Sequence, residues 1–221
     1  MTTAFFHEAL HRSEDTLRRI AEFPVTVCGA GALGANIIEN LARQGFGRLA
    51  VIDCDRVEER NLSTQPYFRG DIGAQKAKIL GNNIYRALGT APVAHAVELT
   101  ASNARKLFTG SALVVDAFDN SVSRRVVAET CSAMDIPCIH AGLANSYAEV
   151  IWNDIYRVPS DANDDICDYP LARNLVLLTV ATACEAIVDF ASAGNGVEEP
   201  PQRSYTITLG DLAVREYKVA S

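Results

Sequence analysis

The run Gly29-Ala30-Gly31-Ala32-Leu33-Gly34 constrains this 221-residue chain more than any other feature. It follows a short apolar strand pattern, Pro24-Val25-Thr26-Val27-Cys28, and opens a helical pattern beginning Ala35-Asn36-Ile37-Ile38. A second strand pattern, Arg48-Leu49-Ala50-Val51-Ile52, ends on Asp53. Strand, glycine turn, helix, strand and terminal acid make one βαβ unit. Glycines at this spacing let backbone N–H groups approach a phosphate at a helix N-terminus, whose dipole favours negative charge. An acid about 20 residues beyond the turn suits a ribose hydroxyl. The unit predicts a bound nucleotide without saying which one or for what purpose.

The rest of the chain narrows the class. With 48% apolar and 21% charged residues it reads as a globular protein with a sizeable core. Its length suits a single domain spanning 1–221, with an N-terminal helix over 1–22 and a nucleotide-binding core with a closing hairpin over 23–221. A net charge of −7 argues against non-specific nucleic-acid binding, which depends on neutralising phosphates. The opening Met1-Thr2-Thr3-Ala4-Phe5-Phe6 lacks the basic-then-apolar order of a secretory signal. No apolar stretch reads as long enough to cross a bilayer, so no membrane partner is expected and the expected location is cytoplasmic. The six cysteines, Cys28, Cys54, Cys131, Cys138, Cys167 and Cys184, form no Cys-x-x-Cys pair. A structural zinc site is therefore not expected, nor a disulfide framework. Cys28, Cys54, Cys138 and Cys184 read as packing residues in strand and helix patterns.

Periodicity predicts an amphipathic helix over 5–21, with Phe6, Leu10, Leu17 and Ile20 on one face. Residues 54–73 form a polar connection too long for a simple turn, and such loops are usually functional. Further helices are expected near 74–88, 101–107, 123–134 and 175–190. Strands are expected near 93–99, 112–116, 137–142 and 148–156, and a closing hairpin over 204–209 and 212–217. Residues 159–170 read as an acidic loop and 194–201 as a linker. The alternation implies an α/β, Rossmann-like fold: a mostly parallel sheet flanked by helices, with antiparallel strands at the C-terminal end.

Ligands of open α/β sheets sit at the carboxyl ends of the strands. Those ends carry the glycine turn, then Asp53 followed by Asn61, Gln65 and Lys76, and finally Asp116, Asp119 and Asn120. A lysine suits phosphate and a free carboxylate suits Mg²⁺, which is more than a dinucleotide requires. Asp119 suits either that metal or the cap of the helix that follows. Asp116 suits either the site or the core. His140, ending a strand, reads as a satisfied core histidine.

In their order and spacing these residues resemble the ThiF/MoeB/HesA superfamily, which includes the adenylating domains of ubiquitin-activating enzymes. The matching elements are Gly29-x-Gly31-x-Leu33-Gly34, Asp53-x-Asp55-x-Val57-x-x-x-Asn61-Leu62-x-x-Gln65, Asp71-Ile72-Gly73-x-x-Lys76 and Asp116-x-x-Asp119-Asn120. The resemblance implies ATP-dependent adenylation of a partner's C-terminal carboxylate, the partner being a small β-grasp ubiquitin-like or sulfur-carrier protein ending in glycine. It implies ribose binding by Asp53, nucleotide contacts along Gly29, Gly31, Leu33, Gly34, Asp55, Gln65 and Asn120, phosphate contacts by Asn61 and Lys76, and Mg²⁺ at Asp119. It also implies a homodimer whose subunits share residues.

Two features depart from the family pattern. Thr64 stands where the family carries an arginine, leaving Arg60 or Arg69, or Arg12, Arg18 or Arg19 of another copy, to supply a cation. The family's paired zinc cysteines are absent. Cys167 lies where relatives place a thioester- or persulfide-forming cysteine, but flanking aspartates raise rather than lower a thiol's pKa. Two other readings stay open: a non-catalytic nucleotide-binding or scaffold subunit, which Thr64 favours, and an NAD-dependent oxidoreductase, which rests on the glycines alone.

Overall fold

A computed structural model describes residues 3–159, 170–193 and 202–218. Strand β1 (Pro24–Cys28) is almost wholly buried, as β-branched residues of a strand covered on both faces should be. The chain turns at the glycines into α3 (Ala32–Gln44), which stops at Gly45 in the left-handed conformation, φ +107°. It returns through β2 (Arg48–Ile52). After the connection come α4 (Lys76–Leu88), β3 (Val93–His95), α5 (Ala104–Phe108), β4 (Leu113–Asp116) and α6 (Ser121–Met134). Then follow β5 (Cys138–Ala144), β6 (Tyr147–Trp152), α7 (Arg173–Ser192), β7 (Arg203–Thr208) and β8 (Ala213–Lys218). Two helices, α1 (Phe6–Arg12) and α2 (Glu14–Glu22), precede β1.

The strands form one eight-stranded sheet in the order β3-β2-β1-β4-β5-β6-β7-β8. The strands from β3 to β5 are parallel, and each pairing from β5 to β8 is antiparallel. The expected mostly parallel sheet with late antiparallel strands is what forms. The chain winds one way from β1 to β2 and β3 and the other way into β4 and β5. The crevice of such a sheet therefore opens between the carboxyl ends of β1 and β4. Register places Cys28 opposite Asp116 there.

Two cores sandwich the sheet. Val25, Val27, Leu113 and Val115 face α2, α3, α4 and α7, while Cys28, Val114 and Cys138 face α5 and α6. This is the period-two alternation of a strand read on both faces. Burial pushes the thiols of Cys28 and Cys138 up and that of Cys184 up to about 12, as packing cysteines require. Cys54 differs from its expected packing role, because it lies past the end of β2 and is exposed beside Asp55.

Three expectations change. The helix expected over 5–21 is two helices, broken at Ser13 (φ +80°), whose hydroxyl caps α2 through the Thr16 N–H. The break takes Phe6 and Leu10 out of the common apolar face and leaves them exposed, while Leu17 and Ile20 are buried. The strand expected over 93–99 stops at His95, whose carbonyl accepts the Asp53 N–H. Helix α7 is long and apolar enough to cross a membrane, contrary to expectation, but here it packs against α3 and the antiparallel strands. The acidic loop and the linker fall largely or wholly outside the described residues.

Helix α1 is tied to α7 by Arg12, which donates to both carboxylate oxygens of Glu185 (2.9 and 2.7 Å) and to Glu8 (2.8 Å). The hydrogen bonds from Arg12 hold the Glu185 carboxyl below its ordinary range, with burial opposing them. A depressed folded-state value adds stability above the unfolded value and loses it as pH falls through the folded one. Glu185→Gln is therefore expected to lower the thermal midpoint at neutral pH by about 1–3 °C, because the Glu185 carboxylate is about half exposed and solvent weakens the pair. The difference should vanish as pH falls below about 4. Thermal melts of both proteins from pH 3 to 7 check this, and a deficit independent of pH would show that the pair acts by packing alone.

Candidate active site

Each glycine of the turn answers a separate steric demand. Gly29 has φ +93°, and a Cβ there would lie 3.0 Å from the Ala117 carbonyl oxygen. At Gly34 a Cβ would stand 2.0 Å from the Gly29 carbonyl oxygen. A Cβ at Gly31 would meet nothing within 4 Å. The first two glycines thus let β1, β4 and α3 close on one another, whereas Gly31 borders open space. Helix α3 starts at Ala32 with no side chain capping it. The N–H groups of Ala32, Leu33 and Gly34 have no partner inside the helix, and the positive end of its dipole faces the turn. Leu33 itself is buried, so its contribution to a ligand is its backbone.

Asp53 is buried and shapes this turn. Its Oδ2 accepts the Ala30 N–H (2.6 Å) and its Oδ1 accepts the Asp55 N–H (2.7 Å). Burial raises its pKa, with the Ala30 amide, Lys76 and the Asp55 amide working against that rise. Both oxygens keep lone pairs for a ribose hydroxyl. Tyr67, which sequence reasoning missed, donates its hydroxyl proton to the Ala30 carbonyl at 2.8 Å. Asn36 fastens the same connection to α3, its amide donating to the carbonyls of Thr64 (2.8 Å) and Ala32 (2.7 Å). The only hint of these two clasps in the sequence was polar residues where apolar ones would pack.

Lys76 opens α4, and its backbone N–H bonds the Asp55 carbonyl at 2.8 Å. Its side chain is 10% exposed, and Nζ lies 3.2 Å from Asp55 Oδ2. A surface lysine would be far more exposed, so this ammonium is held at the sheet end with one carboxylate as its partner. Asn61 Oδ1 accepts the Glu58 N–H (2.8 Å), so the Asn61 side chain helps to build the connection. Gln65 is buried, and its Oε1 has no partner among the described residues. Thr64 is buried as well. Arg60 pairs with Glu58 (2.7 Å) and Arg69 with Glu59 (3.3 Å). Arg18 and Arg19 pair with Asp15, and Arg12 is clamped within its own chain. A cavity of about 620 Å³ lies on the outer side of this connection, against α3 and α4, and is lined by none of the glycines, Asp53, Lys76 or Asp119.

The third strand end supplies Asp119. Asn120, rather than Asp119, caps α6, its Oδ1 accepting the Ser123 N–H (2.8 Å). Asp119 is exposed and is left as a hard oxygen donor at the crevice. One free carboxylate fits Mg²⁺, which takes one or two carboxylates plus phosphate oxygens and waters. No cluster of three metal-binding side chains is present among the described residues. Asp116 is fully buried and bonds His140 Nδ1 at 2.9 Å. His140 is thus the satisfied buried histidine that was expected. The Ala117 N–H to Cys28 carbonyl bond (2.9 Å) brings the Asp119 segment beside the glycine turn. Cys167 lies outside the described residues.

Residues 7–167 match the family described as the ThiF family, a span holding every candidate residue from Gly29 to Cys167. The chain belongs to the ThiF family. This ThiF-family chain is 30% identical over 153 residues to SUMO-activating enzyme subunit 2 of Dictyostelium discoideum, covering 68% of the chain and 23% of that protein. It is 36% identical over 128 residues to the SAMP-activating enzyme E1 of Haloferax volcanii, covering 57% of the chain and 47% of that enzyme. The chain therefore spans less than half the length of these curated relatives. Among solved structures, Escherichia coli MccB with ATP superposes with a TM-score of 0.80 at 16% identity, over 98% of this chain and 72% of that one. That likeness establishes a shared fold.

Proposed function

We propose that this protein is an ATP-dependent adenylyltransferase that activates the C-terminal carboxylate of a small ubiquitin-like or sulfur-carrier protein ending in glycine. The observation that carries the proposal is Lys76, a largely buried ammonium held 3.2 Å from Asp55 beyond the carboxyl end of β2, the strand beside β1, whose own carboxyl end leads into the uncapped N-terminus of α3. Hydride transfer has no use for that cation or for the free carboxylate of Asp119. Relatives named for adenylation support the reading, among them the sulfur carrier protein adenylyltransferase of Thermus thermophilus, 33% identical over 127 residues.

The α3 amides and Gly31 receive the phosphates and Asp53 the ribose. Lys76 neutralises charge on the phosphates as the partner's carboxylate oxygen bonds to the α-phosphorus. The bond from that phosphorus to the bridging oxygen breaks, and pyrophosphate departs with the electron pair. Mg²⁺ at Asp119, when bound, would offset the charge on the leaving pyrophosphate. The protein contributes positioning and fixed charge rather than a covalent step. The active species in this reading is a cytoplasmic homodimer, and a cation from the second copy takes the role that the buried, uncharged Thr64 cannot fill. Cys167 is available in this reading as a later acceptor of the activated acyl group.

The test is ATP–pyrophosphate exchange with a candidate partner ending in Gly-Gly. Wild type should exchange only with the partner present. Lys76→Ala and Asp119→Ala should each lose at least about 100-fold, the scale of removing one preorganised charge from a transition state. ATP binding without exchange, across several partners, would instead support the non-catalytic subunit that the loss of the family arginine at Thr64 favours.

A further inference from the structure

One group of charged residues at the crevice takes no part in the scheme above. Asp116, the last residue of β4, is fully buried with His140, and the Arg124 side chain is 11% exposed. His140 is the residue opposite Asp116 on β5. Its Nδ1 lies 2.9 Å from Asp116 Oδ2, and its ring stacks on Tyr156 at 3.7 Å. Arg124, in the first turn of α6, places Nη1 3.6 Å from the same Oδ2. That Nη1 also donates to the Tyr156 hydroxyl at 3.0 Å, and Nη2 donates to the Ala141 carbonyl at 2.9 Å. A Cβ at Gly142 would stand 3.4 Å from Nη2, so the guanidinium fills the space that glycine leaves.

Packing alone does not call for such a group. Taking a carboxylate and a guanidinium out of water is costly, and apolar residues of similar volume are often as stable. What the cluster does is hold two backbones. Asp116 Oδ1 accepts the Phe118 N–H at 3.2 Å, one residue before Asp119. On the other side of Asp119, the Asn120 cap and the Arg124 N–H to Asn120 carbonyl bond (3.2 Å) pin the start of α6. Asp119 is thus fixed from both sides while its own carboxylate has no partner among the described residues. The neighbour of Asp116 on β1 is Cys28, and the next residue is Gly29. One buried carboxylate therefore sets the metal-side turn against the phosphate-side turn.

We propose that Asp116, His140, Arg124 and Tyr156 form a positioning cluster that sets Asp119 relative to the glycine turn, with His140 the positioning residue that orients Asp116. The inference rests on the adenylation reading, in which Asp119 holds Mg²⁺ and the glycine turn holds the phosphates. Residues that orient a metal ligand typically change metal affinity by about 10–100-fold when removed.

The test measures ATP affinity as a function of free Mg²⁺, with no partner protein, in the full chain. His140→Ala removes both the bond to Asp116 and the ring stacked on Tyr156. It should raise the Mg²⁺ concentration for half-maximal effect by roughly tenfold while leaving the Mg²⁺-free ATP affinity unchanged. His140→Asn, whose amide nitrogen can take the place of Nδ1, should restore most of that loss. A cluster that served folding alone would lower the melting temperature in both variants without moving the Mg²⁺ midpoint, and that result would overturn the inference. Should His140→Ala fail to fold, Tyr156→Phe removes a single hydroxyl and should shift the midpoint in the same direction; an unchanged midpoint there would also overturn it. Asp119→Asn is the control for the underlying reading and should lose the Mg²⁺ dependence. Unchanged dependence in Asp119→Asn would sink the metal assignment and the inference with it. Lost dependence there with an unshifted His140→Ala would sink the inference alone.

Discussion

Gly34→Ala is expected to unfold or severely destabilise this protein, whereas Gly31→Ala is expected to leave it folded but poor at holding ATP. The new Cβ at position 34 would sit 2.0 Å from the Gly29 carbonyl oxygen and 3.3 Å from the Ala117 Cβ. The first of these is backbone, so no rotamer change relieves it. Either α3 moves off β1 by about 1 Å or the turn is lost, and overpacking of this kind costs about 3 kcal/mol or more. At Gly31 the added methyl meets no protein atom within 4 Å, and φ is an ordinary −83°. Its effect on stability should stay within about 1 kcal/mol. The methyl does enter the space beside the free α3 amides, where a phosphate would come closest. ATP affinity should fall at least about tenfold, a change of about 1.4 kcal/mol. Urea titrations of both variants, with ATP titrations of whichever folds, separate the two effects. Equal destabilisation of both would show that the glycine spacing serves packing alone.

The other large effect is expected from Asp116→Ala. Removing this carboxylate leaves the Arg124 guanidinium buried with no anion beside it, and leaves the Phe118 amide and His140 Nδ1 without their acceptor. Arg124 keeps its charge in the fold because Asp116 and Tyr156 favour it against the opposing effect of burial. Breaking a buried pair by deleting one member costs about 3–5 kcal/mol, a large share of the total stability of a domain. Replacing both members by apolar residues should cost less than the two single losses added together. In a double-mutant cycle, Asp116→Ala with Arg124→Leu should show at least about 1 kcal/mol of such coupling. Additive losses in urea would show that Arg124 is satisfied by Tyr156 and Ala141 without Asp116.

What could be read from the linear chain was whatever follows from neighbours. The spacing of Gly29, Gly31 and Gly34 between a strand and a helix is a local demand of chain closure, and it marks the turn to which the proposed function assigns the phosphates. Asp53, Asp116 and Asp119 were identifiable because a buried strand ends where polar residues begin. The sheet class followed from alternation of strand and helix. Of the two roles the sequence leaves open for Asp119, ligand or helix cap, the structure gives the cap to Asn120. The break at Ser13 was missed because the apolar period runs through it. A left-handed residue that also caps α2 interrupts the helix without interrupting the pattern.

The sequence by itself determined the strand–turn–helix unit, the mostly parallel order and the identity of the groups at the strand ends. Only the tertiary structure decided which of those groups are spoken for. Asn61 and Asn120 spend an oxygen on backbone amides, Thr64 is buried, Arg12 is clamped to Glu185 and Lys76 pairs with Asp55, while Asp119 is exposed. Tertiary structure also decided that Asp116 meets His140 and Arg124. The reason is physical: helix and turn signals act over a few residues, but a hydrogen bond between β4 and β5 exists only once their register is set. Residue types fix what chemistry is available, and register fixes which of them meet.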